Sequence, residues 1–343
     1  MRKPDKTLGT KQKDKMVGLL RRRHLLPILI CIALLAASFG CNRQQPHFEG
    51  FIFSPDNTYL AGVYFRSGSS FIYKIPLDTG KAVRVTNATE GFEGVPSFSP
   101  DGKRIAYSYS PPKGHSRIVV SSVDGSTQSS WPTTTSDDFD PLFSPDGNTI
   151  IFARSGYFGS YSPIAQPTQH EWNFYVGDVE GRKVRQITDE NFYLVSRASI
   201  SPDGKTMLFV SSEQGGDILA FYSLEQPPKP KVTVRPGVGD KEGSTVLGDA
   251  MFMPDGKSIL FTAAITGAHG YFDYDIYRME LSSQKIEKLT TANGYSHSLQ
   301  LSRDGKTAVF MRDNVHWYGT RTEILLLDLA IRSLTTLKVS VAS

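Results

Sequence analysis

Short apolar runs, almost free of internal charge and too brief for helices, recur along the chain and give its first structural signal. Ile150-Ile151-Phe152 and Ile259-Leu260-Phe261 are typical: contiguous, rich in β-branched and aromatic residues, and bounded by turn formers. Such runs predict strands covered on both sides, because a strand with one wet face would alternate apolar and polar. Each run follows a turn of the form Ser-Pro-Asp-Gly. The turns are Ser54-Pro55-Asp56-Asn57, Ser99-Pro100-Asp101-Gly102, Ser144-Pro145-Asp146-Gly147, Ser201-Pro202-Asp203-Gly204, Met253-Pro254-Asp255-Gly256 and Ser302-Arg303-Asp304-Gly305. Their aspartates lie 45, 45, 57, 52 and 49 residues apart, a period of arrays and propellers. Ser at the first position accepts backbone hydrogen bonds, Pro presets φ, and Gly takes the left-handed conformation that closes a hairpin. The repeat is therefore a hairpin tip and not an active site.

Eight residues after the first tip position stands an aromatic in five copies: Tyr107, Phe152, Phe209, Phe261 and Phe310. A second apolar run follows a variable loop, and a third ends in Thr, as in Val83-Arg84-Val85-Thr86, Ile187-Thr188 and Leu289-Thr290. With the strand before the tip, this predicts an all-β fold: a six-bladed β-propeller of four-stranded antiparallel blades, in which radial repetition leaves only short edges. No segment has the period of a long amphipathic helix.

Phe98-Ser99-Pro100-Asp101-Gly102-Lys103 and Lys288-Leu289-Thr290 resemble the tip and closing strand of the WD40-like (PD40) repeats of the TolB propeller family. The resemblance covers about residues 48–340 and implies the propeller fold. It implies no single function, because blades of this kind occur in binding proteins, peptidase lids and some lyases.

The N-terminus has the layout of an export signal. Arg21-Arg22-Arg23 precede an uncharged stretch from Leu25 to Gly40, short for a membrane span, and Cys41 follows at once. Ala37-Ser38-Phe39-Gly40 resembles a lipoprotein cleavage box in its final Gly and departs from it at Ser38 and Phe39. Cleavage there would leave Cys41 as the sole cysteine, at the first mature position, where acylation gives it a role. The expected organisation is a signal peptide over 1–40, starting at Met1 or Met16, a tether over 41–47, and the propeller over 48–343. Asn42 in place of Asp after the cysteine favours the outer membrane, with the protein facing the periplasm or exterior.

The leader also holds the basic balance. It contains nine of the 38 Lys/Arg and two of the 34 Asp/Glu, so the remainder carries 29 against 32, a net charge of about −3. Nucleic acid is thus an unsuitable partner. A monomer without cofactor is expected, bound to the membrane through its lipid and to an envelope protein or cell-surface glycan.

Ligand-binding candidates come from two places. Residues three to six positions before each tip should ring the mouth of the central channel: Glu93 and Val95, Asp138 and Asp140, Arg197, Asp249, and His297. Such groups suit a cation, an amine or a sugar, and alternatively serve as rim residues paired with neighbouring loops. Loops expected on that same face carry aromatics, among them Trp172, Tyr271 and Trp317, which would either recognise a partner or fold back as satellite clusters. No Gly-x-Ser-x-Gly, His-Glu-x-x-His or phosphate loop is present, and no catalytic residue is assigned. The reading is a non-catalytic binding or scaffold module. The alternative resembles oligogalacturonate lyase, a channel-centred carbohydrate-active enzyme holding a metal through His269, His297 and His316 with Gln300, although no close His-x-His pair supports a metal site.

Overall fold

The computed structural model describes residues 46–341, apart from 133, 160–167, 214–215, 226–230, 239–244, 267–271, 292–293 and 317–318. The leader and Cys41 lie outside the described residues, as do His269, Tyr271 and Trp317. Every regular element described is a strand.

The first unit runs β1 (His47–Phe53), β2 (Tyr59–Arg66), β3 (Ser69–Pro76), β4 (Lys81–Arg84). In the second, the first strand is broken into β5 (Phe92–Glu93) and β6 (Ser97–Phe98), both pairing β7 (Arg104–Ser110), followed by β8 (Arg117–Ser122) and β9 (Gln128–Ser130). The third is β10 (Asp137–Phe143), β11 (Thr149–Gly159), β12 (Thr168–Asp178) and β13 (Val184–Gln186). The fourth is β14 (Ser199–Ile200), β15 (Thr206–Glu213), β16 (Gly216–Ser223) and β17 (Val232–Val234). The fifth is β18 (Thr245–Phe252), β19 (Ser258–Thr266), β20 (Phe272–Glu280) and β21 (Ile286–Lys288). The sixth is β22 (Tyr295–Leu301), β23 (Thr307–His316), β24 (Gly319–Asp328) and β25 (Leu334–Thr336), after which comes β26 (Ser340–Val341). Within each unit, sequential strands pair antiparallel.

The second strand of every unit explains why the apolar runs are continuous. Its successive side chains point to opposite faces, and both faces are covered. In β7, Ile105 and Tyr107 pack against the first unit and Ala106 against the third. In β15, Met207 and Phe209 face the third unit while Leu208 and Val210 face the fifth. The recurring aromatic always turns toward the preceding unit, and all five copies are essentially fully buried. Burying each ring stabilises the fold by roughly 1.5–3 kcal/mol. In β23, Phe310 faces the fifth unit, whereas Val309 and Met311 meet Phe51, Leu60 and Ile75 of the first. Six apolar interfaces thus form a closed circuit, with the first unit packed on the sixth.

The tips form as their composition requires. In five of them the Ser hydroxyl donates to the Asp two residues on, at 2.5–2.7 Å, and that carboxylate also accepts a backbone N–H, from Lys103 in the second unit at 3.1 Å. Gly147 has φ 72°, and a Cβ there would lie 3.1 Å from Pro100 of the preceding tip. The closing Thr has an equally local reason. Thr188 and Thr290 accept the N–H of Phe174 and Ile276, at 2.9 and 3.0 Å, and donate to Asn173 and Asp275.

Strand phase is as the pattern predicts: β1 is the first strand of its unit and β25 the last of its own. Closure does not rest on apolar packing alone. β26 pairs in parallel with β4, Ser340 opposite Lys81, and the Ser340 N–H donates to the Gly80 carbonyl at 2.9 Å.

Candidate functional site at the ring axis

The first strand of each unit carries the axial residues, and a register break aims them. Irregularities fall between Phe48 and Gly50, Phe139 and Leu142, Leu247 and Ala250, and His297 and Gln300. Such bulges bend the strand and re-aim one side chain. Four residues before each tip stand Gly50, Val95, Asp140, Arg197, Asp249 and Ser298. They converge: a Cβ on Gly50 would lie 2.7 Å from Val95 and 3.9 Å from Ser298, and the Ser298 hydroxyl donates to the Glu49 carbonyl at 3.0 Å. Half of this circle is small or apolar, and the other half reads Asp, Arg, Asp.

Arg197 spans the circle. Its Nη2 donates to the Pro96 carbonyl, two units away, at 2.6 Å, while Nη1 is buried with no hydrogen-bond partner. Asp140 sits at φ 51° and receives no hydrogen bond among the described residues. Asp249 is held by the Leu299 N–H at 2.9 Å, and its own N–H donates to Thr262 Oγ1 at 2.9 Å. Desolvation raises the pKa of Asp140 against the pull of Arg197. Burial likewise raises that of Asp249, opposed by the Leu299 N–H, His297 and Arg197. The Arg197 guanidinium is pushed down by burial and held up by both carboxylates. The three groups keep some surface open to the channel yet are stripped of most of their water.

At the tip end a second arginine crosses the ring: Arg303 Nη1 donates to the Pro100 carbonyl at 2.7 Å. Two guanidinium struts therefore rest on the second unit at two depths, Pro96 and Pro100.

Of the residues predicted at this mouth, Asp140, Arg197 and Asp249 come together. Glu93 does not. It is 2 % exposed, wedged between the first and second units, where it accepts the Ile72 N–H at 3.0 Å and the Thr86 hydroxyl. The reason is its phase: Glu93 stands six residues before its tip, and the residues at that position in other units, Phe48 and Leu247, also lie in the cores between units. Asp138 is also diverted, into a pair with Arg154 at 2.6 Å. In the sixth unit the position four before the tip is Ser298, so His297, five before it, falls outside the circle. His297 instead stacks on Tyr295, with Nε2 3.5 Å from Asp313 and Nδ1 3.1 Å from the Ser298 hydroxyl. Trp172 packs at the interface of the third and fourth units, its ring 5.7 Å from Phe139 and its backbone bridged to Phe192.

Among the described residues four aromatics are exposed, Phe92, Phe158, Tyr193 and Tyr295, and of these the sequence reading missed Phe92, Tyr193 and Tyr295. Phe92, Phe158 and Tyr295 stand at the ends of β5, β11 and β22, and Tyr193 lies between β13 and β14, all at the strand ends away from the tips. The signal of Phe92, Tyr193 and Tyr295 was weak because they stand at or just before the start of a unit, ahead of the part that the tip motif marks.

A family model described as the TolB beta propeller domain (PD40) matches residues 50–163. Over 175 residues the chain is 28% identical to the Tol-Pal system protein TolB of Francisella tularensis subsp. mediasiatica (strain FSC147), covering 50% of this chain and 37% of that protein. It is 29% identical over 204 residues to the uncharacterized peptidase YuxL of Bacillus subtilis (strain 168), covering 50% of this chain and 29% of the relative. The chain thus matches well under half the length of these relatives. Among solved structures, TolB from Acinetobacter baumannii superposes with a TM-score of 0.60 at 18% identity, covering 90% of this chain and 68% of that one. Oligogalacturonate lyase from Vibrio parahaemolyticus gives 0.56 at 16%, covering 85% and 77%. These likenesses establish an all-β, TolB-like propeller, as the tips implied, and by themselves they do not choose between binding and catalysis.

Proposed function

We propose that this TolB-like propeller is a non-catalytic binding module of the bacterial cell envelope that docks a protein partner on the face opposite its tips. The observation that carries the reading is the placement of Phe92, Phe158, Tyr193 and Tyr295, exposed on that one face, with Asp140, Arg197 and Asp249 brought together at the axis. Aromatic anchors around a polar centre are how protein interfaces gain contact area at low entropic cost. The TolB relative's printed name places it in the Tol-Pal system, which supports an envelope setting for this chain. Residues 1–40 serve in this reading as an export leader and Cys41 as an acylated anchor, with the outer membrane as the site of attachment. A glycan is the less favoured ligand for the outer face, because the exposed aromatics among the described residues come from different units.

The test is co-purification from the cells that make the protein. Phe92→Ser with Tyr193→Ser should lose a partner that the wild-type chain retains, whereas Ile331→Ser, in the turn after β24 at the tip end, should keep it. Retention by the double variant would refute the docking face. The second reading, a channel-centred carbohydrate-active enzyme, has the convergence of Asp140, Arg197 and Asp249 in its favour. Metal analysis separates the two: stoichiometric divalent metal in the purified chain would favour the enzyme.

A further inference from the structure

Between the first and second units, on the tip side, lies a groove of about 550 Å³, inside the range of roughly 300–1,000 Å³ that small-molecule sites occupy. One wall is β4. The other is the tip residue Lys103 with the turn at 122–124, joined where the Val123 N–H donates to the Lys103 carbonyl at 3.0 Å. The groove is aliphatic in part: Val85 and Val123 are half-buried in it, and Val83 stands 62 % exposed. It also carries Lys74, Arg84 and Lys103, none of them within ion-pair distance of a carboxylate among the described residues. The one carboxylate lining it, Asp124, is taken up by its own turn. It accepts the hydroxyls of Ser122 and Ser126 at 2.6 and 2.7 Å and the Ser126 N–H at 3.0 Å, and these bonds, that of Ser122 first, hold its pKa at about 2. Three cations against one carboxylate leave +2 here, in a propeller whose net charge is about −3. Two of the cations are fixed in advance. Lys74 Nζ sits 4.2 Å from the Tyr59 ring centroid, and the Arg84 guanidinium lies 3.6 Å over Phe71 while Nη2 donates to the Ala88 carbonyl. A second groove, of about 660 Å³ between the third and fourth units, sets Lys183 and Arg185 against Asp146, Asp178 and Asp203, so it has no charge to offer an anion.

The guest has to answer both the cations and the valines. Inorganic phosphate would leave the valines wet, and a neutral lipid would leave the cations unmatched. A nucleotide base wants an aromatic face, yet the faces of Tyr59 and Phe71 are taken by Lys74 and Arg84. An acidic peptide gains little from backbone pairing, because β4 has β3 on one side and β26 on the other at Lys81 and Ala82. We propose that this groove binds a single-chain aliphatic phosphomonoester, its phosphate on Lys74, Arg84 and Lys103 and its alkyl chain on Val83, Val85 and Val123. A phosphate monoester carries a charge of about −1.5 to −2 at neutral pH, which matches the +2 of the groove. The site lies on the tip side and does not depend on the docking face.

The experiment titrates the full chain by calorimetry with octyl phosphate, with methyl phosphate, which has the head alone, and with octanamide, which has the tail without charge. Octyl phosphate should bind, and each of the other two should bind about tenfold more weakly or worse. Lys103→Glu should weaken octyl phosphate by about tenfold or more at an unchanged thermal midpoint, with Lys103→Gln in between, since the Lys103 side chain is exposed and unpaired. Lys183→Glu, in the second groove, should leave binding as it was. The basic leader is intact in Lys103→Glu, so binding that persists in that variant would lie outside the groove and overturn the proposal. Equal binding of methyl phosphate or of octanamide, or no binding of octyl phosphate at about 5 mM, would overturn it as well. So would a protein captured by a crosslinking residue at position 103, which would assign the groove to a macromolecular partner.

Discussion

Two residues that break the tip motif do so in concert. Five tips have Pro at the second position and five have Gly at the fourth; the exceptions are Arg303 in the last tip and Asn57 in the first. These meet at the seam, where the Arg303 N–H donates to Asn57 Oδ1 at 2.9 Å. Pro has no N–H to give and Gly no side chain to receive it, so the regular motif could not make this bond. Asn tolerates the φ of 58° that Gly would otherwise supply. A double-mutant cycle should therefore be non-additive: Asn57→Gly should cost about 1 kcal/mol in denaturant unfolding with Arg303 present and little once Arg303→Pro, which also loses the Pro100 contact, has removed the N–H. Strict additivity would show that the bond contributes nothing. The tip carboxylates make a further demand on pH. Hydrogen bonds from their serines, first of all, lower the pKa of Asp56, Asp101, Asp146, Asp203 and Asp304. Their stabilisation is present above the ordinary value near 3.8 and is lost as pH falls through the lowered ones. Asp140, Asp249 and Glu93 are raised by desolvation and act in the opposite sense, so stability should climb as pH falls from their raised values toward about 4. Denaturant midpoints measured from pH 7 to pH 3 should pass through a maximum on the acid side and then collapse. A steady decline from pH 7 would contradict the raised axial carboxylates.

At the level of elements, closure of the ring uses a strand as well as side chains. β26 lies against β4, and the turn before β4 is built for it: Gly80 has φ 64°, and a Cβ there would sit 2.0 Å from the Lys338 carbonyl oxygen. Gly80→Ala should thus expel the C-terminal segment and cost about 1–3 kcal/mol. Hydrogen exchange should report loss of protection at the Ser340 amide while β25 stays protected; a Ser340 amide that remains slow would show the pairing to be incidental. This strand was not legible in the sequence, because two residues pairing in parallel have no period to read. The tips, the buried second strands and the closing threonines were legible, since each is fixed by local chemistry repeated along the chain, six times for the tips and three for the threonines quoted. Register was not. The axial residues all stand four before their tips, but nothing in the pattern separates that position from those three, five and six before, which is why His297 and Glu93 were read as axial.

For the whole molecule, fold and function were legible to different depths. Six tips specify an array whatever it binds, whereas the docking face depends on connections between units that vary freely and on which side of each strand a bulge turns. The envelope setting rests on the N-terminal segment. If Cys41 is acylated, Cys41→Ser should move the protein from the membrane to the soluble envelope fraction with its thermal midpoint unchanged, because β1 begins at His47. Unaltered partitioning would remove the anchor from the account. The central claim, that the partner sits opposite the tips, is tested most directly by site-specific photocrosslinking in intact cells. A crosslinking residue at position 92, 193 or 295 should capture the same protein, and one at position 103 or 146, on the tips, should capture none. Capture from the tips with silence at the aromatic positions would invert the docking face and contradict the account.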